Sequence, residues 1–260
     1  MDIRLDGRRA LVTGANSGIG AAIAEALGEA GARVAINYLD GDDAAEAVAE
    51  RVRKAGGEAL TARADVSDAD AVERMFTAVD EAWGGIDILV NNAGIDGGRA
   101  EAWRSEPDTW RKVIDVNLFG AYACARQALK RMVPAGKGVV LNITSVHEVI
   151  PWSGYSAYTA AKAGAGMMTR TLAQEAAPHG VRVVALAPGA VKTAINQQVW
   201  NDPDSLADLL DKIPLNRLGV PEDIARMATV LVSDVAGYVT GTTLFVDGAM
   251  TDYPDFAHGG

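Results

Sequence analysis

The chain has 260 residues, 49% hydrophobic and 22% charged, with 24 basic against 34 acidic residues and a formal charge of −10. That composition excludes a disordered polymer, and the acidic balance weighs against a duplex nucleic-acid binder, which needs a basic face. A single cysteine, Cys124, excludes an intrachain disulfide framework, and no stretch of 18 residues is apolar throughout, so no membrane span is expected.

In chain order, short apolar runs alternate with alanine-rich helical stretches. The strands expected are Ala10–Val12, Val34–Ile36, Ala59–Ala64, Ile86–Val90, Val139–Ile143, Val181–Leu186 and Thr243–Val246. The helices expected between them are Gly18–Ala30, Asp42–Ala55, one opening at Ser67 with a Ser67/Asp70 capping pair, one continuous helix over Pro107–Met132, Ser156–Ala177, and one starting at Pro221. This alternation predicts a single α/β domain over residues 1–260: a doubly wound, Rossmann-like parallel sheet of about seven strands with helices on both faces. The stretch Thr193–Gly219 breaks the alternation and is expected to be an insertion over the ligand edge, a substrate lid.

The first strand runs into Thr13-Gly14-Ala15-Asn16-Ser17-Gly18-Ile19-Gly20. A strand, a glycine-rich turn and a helix N-terminus form an anion site, with outward N–H groups and a favourable helix dipole. The spacing is G-x-x-x-G-x-G, and no Gly-Lys-[Ser/Thr] follows, so a P-loop is excluded. Tyr158 and Lys162 stand four residues apart on an expected helix and share a face. An ammonium beside a phenol favours the phenolate, which makes the pair a proton-transfer device. His147, His179, His258 and Cys124 form no metal-ligand pattern, so no metal is expected.

These motifs resemble the short-chain dehydrogenase/reductase family. The turn T-G-x-x-x-G-I-G, Asp65-Val66, Asn91-Asn92-Ala93-Gly94, Asn117, Ser145, Tyr158-x-x-x-Lys162 and Pro188-Gly189 follow one another as in that family, from about Leu5 to Gly248. The resemblance implies a nicotinamide dinucleotide held by Gly14, Asn16, Ser17, Gly18, Ile19, Gly20, Asn37, Tyr38, Leu39, Asp65, Val66, Asn92, Ala93, Gly94, Tyr158, Lys162, Pro188, Gly189, Val191 and Thr193. It implies that Tyr158 is the base, that Lys162 lowers its pKa, that Ser145 orients the substrate oxygen and that Asn117 links the site to water. Asn37 stands where the family's NAD enzymes often carry Asp, and Leu39 and Ser17 where many NADP enzymes carry a basic residue. With Asp40 adding negative charge and no phosphate partner evident, NAD is the expected cofactor and NADP the alternative.

Ser145–Trp152, Gly189–Asn196 and Asp247–Pro254 resemble the bacterial glucose 1-dehydrogenases of the family. That implies oxidation of an aldopyranose at C1 to the lactone, with Asp96, Ser145, His147, Trp152 and Asn196 contacting the sugar. Arg99, Arg104 and Lys192 raise the further expectation of an anionic 6-substituent, and the segment Trp152–Ala157 departs from the usual glucose-dehydrogenase residues. A ketoreductase of 3-oxoacyl or secondary-alcohol substrates shares every catalytic residue and is the competing reading. The resemblance further implies a homotetramer. The opening residues Met1–Gly7 lack a signal-peptide core, so a cytoplasmic location is expected.

Overall fold

A computed structural model of the chain describes residues 3–193 and 197–252. Seven strands form one parallel sheet: β1 (Arg9–Val12), β2 (Arg33–Tyr38), β3 (Glu58–Arg63), β4 (Ile88–Asn91), β5 (Gly138–Ile143), β6 (Val181–Pro188) and β7 (Thr243–Val246). Their order is β3-β2-β1-β4-β5-β6-β7. The chain winds outward from β1 to β3, then returns to place β4 on the other side of β1. The direction of winding therefore reverses between β1 and β4, where the loops leaving the two strands part and open a crevice. The register sets Leu11 beside Leu89 and Val12 beside Val90, so both strands end at one level.

The helices are α1 (Gly18–Glu29), α2 (Asp42–Lys54), α3 (Ala69–Trp83), α4 (Pro107–Ile114), α5 (Gly120–Ala135), α6 (Ser156–Ala176), α7 (Gln197–Asn201), α8 (Pro203–Leu210) and α9 (Pro221–Val232). Successive strand residues point to opposite faces, and both faces are covered. Val12, Ile36, Val90, Leu141 and Leu186 pack with Ile23 and Leu27 of α1, Val48 of α2 and Ile224 of α9. Leu11, Ala35, Leu89, Val140 and Val183 pack with Phe76 of α3 and with Cys124, Ala128 and Met132 of α5. Burial without a polar partner pushes the Cys124 thiol up to about 12, so it behaves as a small core hydrophobe.

Three expectations about local structure need correction. The α3 cap is Asp68, whose Oδ1 accepts from the N–H groups of Asp70 and Ala71 at 2.9 and 3.1 Å. Ser67 instead donates its hydroxyl to Asp65 at 2.6 Å. The stretch expected as one helix is broken by a π-turn over Asp115–Phe119, between α4 and α5. The region expected to be irregular contains α7 and α8; Asp202 caps α8 by accepting from Ser205 N–H at 3.0 Å, with Pro203 at its first position.

Candidate active site

The crevice is sewn shut at its base by the first motif and the fourth-strand loop. Thr13 Oγ1 accepts from the N–H groups of Asn92 and Ala93 at 2.9 and 3.0 Å. Asn92 Nδ2 donates to the carbonyls of Thr13 and Gly14 at 2.9 and 3.0 Å. Glycine is required here by space. A Cβ on Gly14 would stand 2.9 Å from Ala93 Cα, and one on Gly20 would collide with Asn92 Nδ2 and Gly14 O. Gly14 and Gly18 also take left-handed φ values of +59° and +55°. The first turn of α1 holds no acidic residue, and Ser17 at its cap makes no side-chain bond to it. Its N-terminal N–H groups are thus left for an anion, and this cradle fits a dinucleotide pyrophosphate.

The other expected cofactor residues surround that cradle. Asn16 Nδ2 donates to Asp40 O at 2.8 Å, tying the turn to the loop after β2. Asp65 accepts from Ser67 and pairs with Lys112 at 3.3 Å, while Val66 is buried against Gly120. Tyr38 is buried at the end of β2, and Leu39 is exposed. Gly189 N–H donates to Val246 O at 3.1 Å, one residue beyond Pro188, the last residue of β6. Val191 forms a bridge with Gly219, and Thr193 lies near Gly18, so the root of the expected lid stands over the turn.

Asn37 requires a different account. It is 1% exposed. Its Oδ1 accepts from Gly14 N–H at 3.2 Å, and its Nδ2 donates to Ala62 O and Ala64 O, both at 3.1 Å. Both amide hydrogens are spent, so the side chain braces the turn from beneath and offers nothing to a ribose. A basic side chain from another strand stands near the end of β2. Arg63, the last residue of β3, donates from Nε to Leu39 O at 3.0 Å and stands 3.6 Å from Asp40.

The reactive groups lie at the ends of β5 and α6. Ser145 follows β5 in extended backbone and accepts from His147 N–H at 3.2 Å. Its hydroxyl also acts on Tyr158. Burial pushes the Tyr158 phenol up; the Ser145 hydroxyl opposes this and the Asp96 carboxylate adds to it. Lys162 is buried and donates from Nζ to Ile143 O at 2.9 Å, 5.5 Å from the centre of the Tyr158 ring. With no carboxylate beside it, burial pushes its pKa down to about 8. In the protein alone the Tyr158 pKa stands raised, with Ser145 the opposing group, and Lys162 keeps its charge at neutral pH but gives up its proton more readily than an exposed lysine.

Asn117 sits in the π-turn, a distortion that recurs at functional positions. Its side chain clamps one residue twice: Oδ1 accepts from Ile95 N–H and Nδ2 donates to Ile95 O, both at 2.8 Å. The side chain expected to link the site to water is therefore engaged, and it fixes the loop after Gly94.

An aromatic stack stands beside Tyr158. Tyr155 stacks on Trp152 with ring centres 3.8 Å apart, and Trp152 stacks on His147 at 4.4 Å. Both His147 and Trp152 meet the Tyr158 ring edge-on, at 6.2 and 5.9 Å. Sequence reading missed Tyr155, although its spacing from Trp152 and Tyr158 marked it. His147 Nδ1 lies 3.1 Å from Ile150 O; a carbonyl only accepts, so Nδ1 carries the hydrogen. Burial keeps this imidazole neutral, and Nε2 is then an acceptor.

Asp96 holds Gly98 N–H at 3.0 Å and, with Arg99, acts electrostatically on Tyr155. The cations expected to meet an anionic substituent each have a contact of their own. Arg104 pairs with Glu101 at 3.0 Å, Lys192 lies 4.5 Å over the Trp200 ring, and Arg99 packs along Gly154. Asn196 lies outside the described residues.

Residues 14–251 match a family model described as enoyl-(acyl carrier protein) reductase. The chain is 46% identical over 259 residues to 3β-hydroxysteroid dehydrogenase 1 of Eggerthella lenta, covering 98% of each chain. It is 41% identical over 251 residues to glucose 1-dehydrogenase 2 of Bacillus subtilis, covering 96% of this chain and 97% of that one. A gluconate 5-dehydrogenase from Burkholderia cenocepacia, solved in complex with NADP and tartrate, superposes with a TM-score of 0.91 at 36% identity, over 96% of this chain and 98% of that one. The chain belongs to the short-chain dehydrogenase/reductase family. It is an NAD(P)-dependent oxidoreductase acting on CH–OH groups. No helix among the described residues is long and apolar enough to cross a membrane.

Proposed function

We propose that the protein oxidises a cyclic alcohol, with an aldopyranose reacting at C1 as the leading substrate. A nicotinamide dinucleotide held by the glycine-rich turn would supply the hydride acceptor for the carbinol carbon. The chain's own residues do the rest. Ser145 positions the substrate hydroxyl. The Tyr158 phenolate oxygen takes its proton. Lys162 holds charge beneath the phenol, and Asn117 keeps the Ile95 loop in place.

The observation that carries the ring-shaped substrate is the Tyr155–Trp152–His147 stack beside Tyr158, with Trp152 sandwiched between the other two rings. With both indole faces covered, the stack offers a substrate its ring edges and its outer end faces; the apolar C–H face of a pyranose packs there, while its hydroxyl edge meets acceptors. His147 Nε2 and the Asp96 carboxylate supply acceptors beside Tyr158. A 3β-hydroxysteroid is the second reading. It is supported by the Eggerthella relative and by the exposed apolar side chains Ile95 and Val149 on the loops that carry the site.

The test is a panel of aldoses, 6-phosphorylated and 6-sulfonated aldoses, 3β-hydroxysteroids and 3-oxoacyl thioesters. Each is assayed with NAD(H) and NADP(H) by nicotinamide absorbance. Glucose turnover with release of lactone supports the sugar reading. Steroid turnover alone replaces it, and turnover of open-chain oxoacyl substrates alone overturns the cyclic-substrate reading. The family resemblance also supports a homotetramer and a cytoplasmic location, and light scattering on the purified protein tests the tetramer.

A further inference from the structure

Arg63 is the last residue of β3 and pairs in register with Tyr38, the last residue of β2. Its side chain turns over the end of β2: Nε donates to Leu39 O at 3.0 Å, and Nη2 stands 3.6 Å from Asp40 Oδ1. The loop it rests on is tied to the glycine-rich turn through Asn16 Nδ2 and Asp40 O at 2.8 Å. A Cβ on Gly41 would stand 3.3 Å from the same Asn16 Nδ2. The guanidinium therefore lies at the mouth of the cradle, at the end of the second strand. In doubly wound sheets that is where the 2′ oxygen of the adenosine ribose is recognised. Asn37 is out of reach there, with both ends of its amide spent on Gly14, Ala62 and Ala64.

The Arg63–Asp40 pair is loose and exposed, with 60% and 83% of the two side chains open to solvent. Such a pair contributes little and separates easily. A phosphate offers more than Asp40 does: it carries more charge, and its oxygens match the planar guanidinium fork two at a time. We propose that Arg63, anchored on the Leu39 carbonyl, is the contact for the cofactor's 2′-phosphate, and that Asp40 is a built-in counter-anion which that phosphate displaces. The chain then takes NADP, with NAD as the weaker ligand whose ribose hydroxyl is left to Asp40. This rests on the reading that the glycine-rich turn holds a nicotinamide dinucleotide. A bracing role for Arg63 is the competing account, and it predicts equal losses for both nucleotides.

The experiment is calorimetric titration of the full chain with adenosine 2′,5′-bisphosphate and with 5′-AMP, alongside NADPH and NADH fluorescence. Wild type is expected to bind the bisphosphate at least about 10-fold tighter than 5′-AMP, because charge-assisted hydrogen bonds are the strong ones. Arg63→Gln should remove that margin, by a factor on the order of 10 to 100, and leave 5′-AMP within about twofold. Asp40→Asn should tighten the bisphosphate several-fold, and Arg63→Lys should keep part of the margin as a point charge without the fork. Equal affinity of wild type for the two nucleotides overturns the proposal, as does equal weakening of both by Arg63→Gln. Binding of neither nucleotide nor of NADH or NADPH overturns the dinucleotide reading itself. NADH binding without a 2′-phosphate margin overturns only the role of Arg63.

Discussion

Replacing Asn37 separates two accounts of the same residue. As a ribose contact, Asn37→Asp should leave the fold alone and shift the protein toward NAD. As a buried brace, it should damage the fold and select nothing. Asn37→Ala removes the acceptor of Gly14 N–H and the donors to Ala62 O and Ala64 O, in a position only 1% exposed. At about 1 kcal/mol for each lost bond, the sum is about 3 kcal/mol. For a chain of this size that lowers the melting temperature by roughly 6–12 °C. Asn37→Asp keeps the bond to Gly14 but turns a carboxylate oxygen toward two carbonyl oxygens, so its loss should be larger. Urea unfolding followed by circular dichroism measures the stability, and titration with 5′-AMP and adenosine 2′,5′-bisphosphate measures the selectivity. Both variants should weaken the two nucleotides together, since the turn itself loosens. An Asn37→Ala stability within about 0.5 kcal/mol of wild type would refute the brace, as would an Asn37→Asp protein of normal stability that prefers the NAD-type nucleotide.

Other substitutions test separate parts of the structure. Lys162→Met should abolish turnover yet raise stability at pH 7 by about 2 kcal/mol. The folded lysine, with its pKa depressed to about 8, costs about 3 kcal/mol below that pH, and the lost bond to Ile143 O returns part of it. The unfolded chain holds that proton up to a higher pH than the folded one. The wild type therefore regains stability as pH rises from about 8 to about 10.5, and the gain of the variant shrinks over the same window, which denaturation at several pH values measures. Asp87 is buried. Burial alone would raise its pKa, but the Arg9 fork at 2.7 and 2.9 Å, the Arg9 N–H and Lys137 outweigh that and hold it below the usual carboxylate range. Asp87→Ala should lose about 3–5 kcal/mol by leaving Arg9 unpaired. Because the folded pKa is depressed, the contribution of Asp87 is present above about pH 4 and disappears as pH falls further, so acid titration of Asp87→Asn should show a flatter profile. Trp152→Ala should raise KM for the ring substrate on the order of 10-fold by removing the middle ring of the stack, with kcat little changed, in steady-state assays.

Much of the sheet was legible because a parallel strand covered on both faces reads as a plain apolar run, and each run here is followed by a helical stretch. The π-turn was not legible. Asp115–Phe119 keeps helical periodicity, and the extra residue in the turn shows only as Asn117 carried inward to Ile95. The cap of α3 was misplaced because Ser67 and Asp68 are both good caps, and the bond from Ser67 to Asp65 decides between them. The glycine spacing located the turn because Gly14 and Gly20 have no room for a Cβ. Local sequence around β2 could not show that Asn37 points inward, nor that Arg63, twenty-six residues further on, reaches the Leu39 carbonyl; only the β2–β3 register brings them together. The contacts of Arg99 and Lys192 are likewise set by tertiary partners that local sequence does not show, Gly154 and Trp200.

The most direct test of the central claim is Tyr158→Phe, assayed for both dinucleotide binding and oxidation of the substrate that wild type turns over. The ring and its contacts with Trp152 and His147 survive, and only the oxygen that accepts the proton is gone. Binding of NADH and NADPH should stay within about twofold of wild type, while kcat falls on the order of 100-fold to 10,000-fold, the usual reach of a positioned acid or base. Turnover close to wild type in a variant that binds cofactor normally would contradict the assignment of Tyr158 as the base.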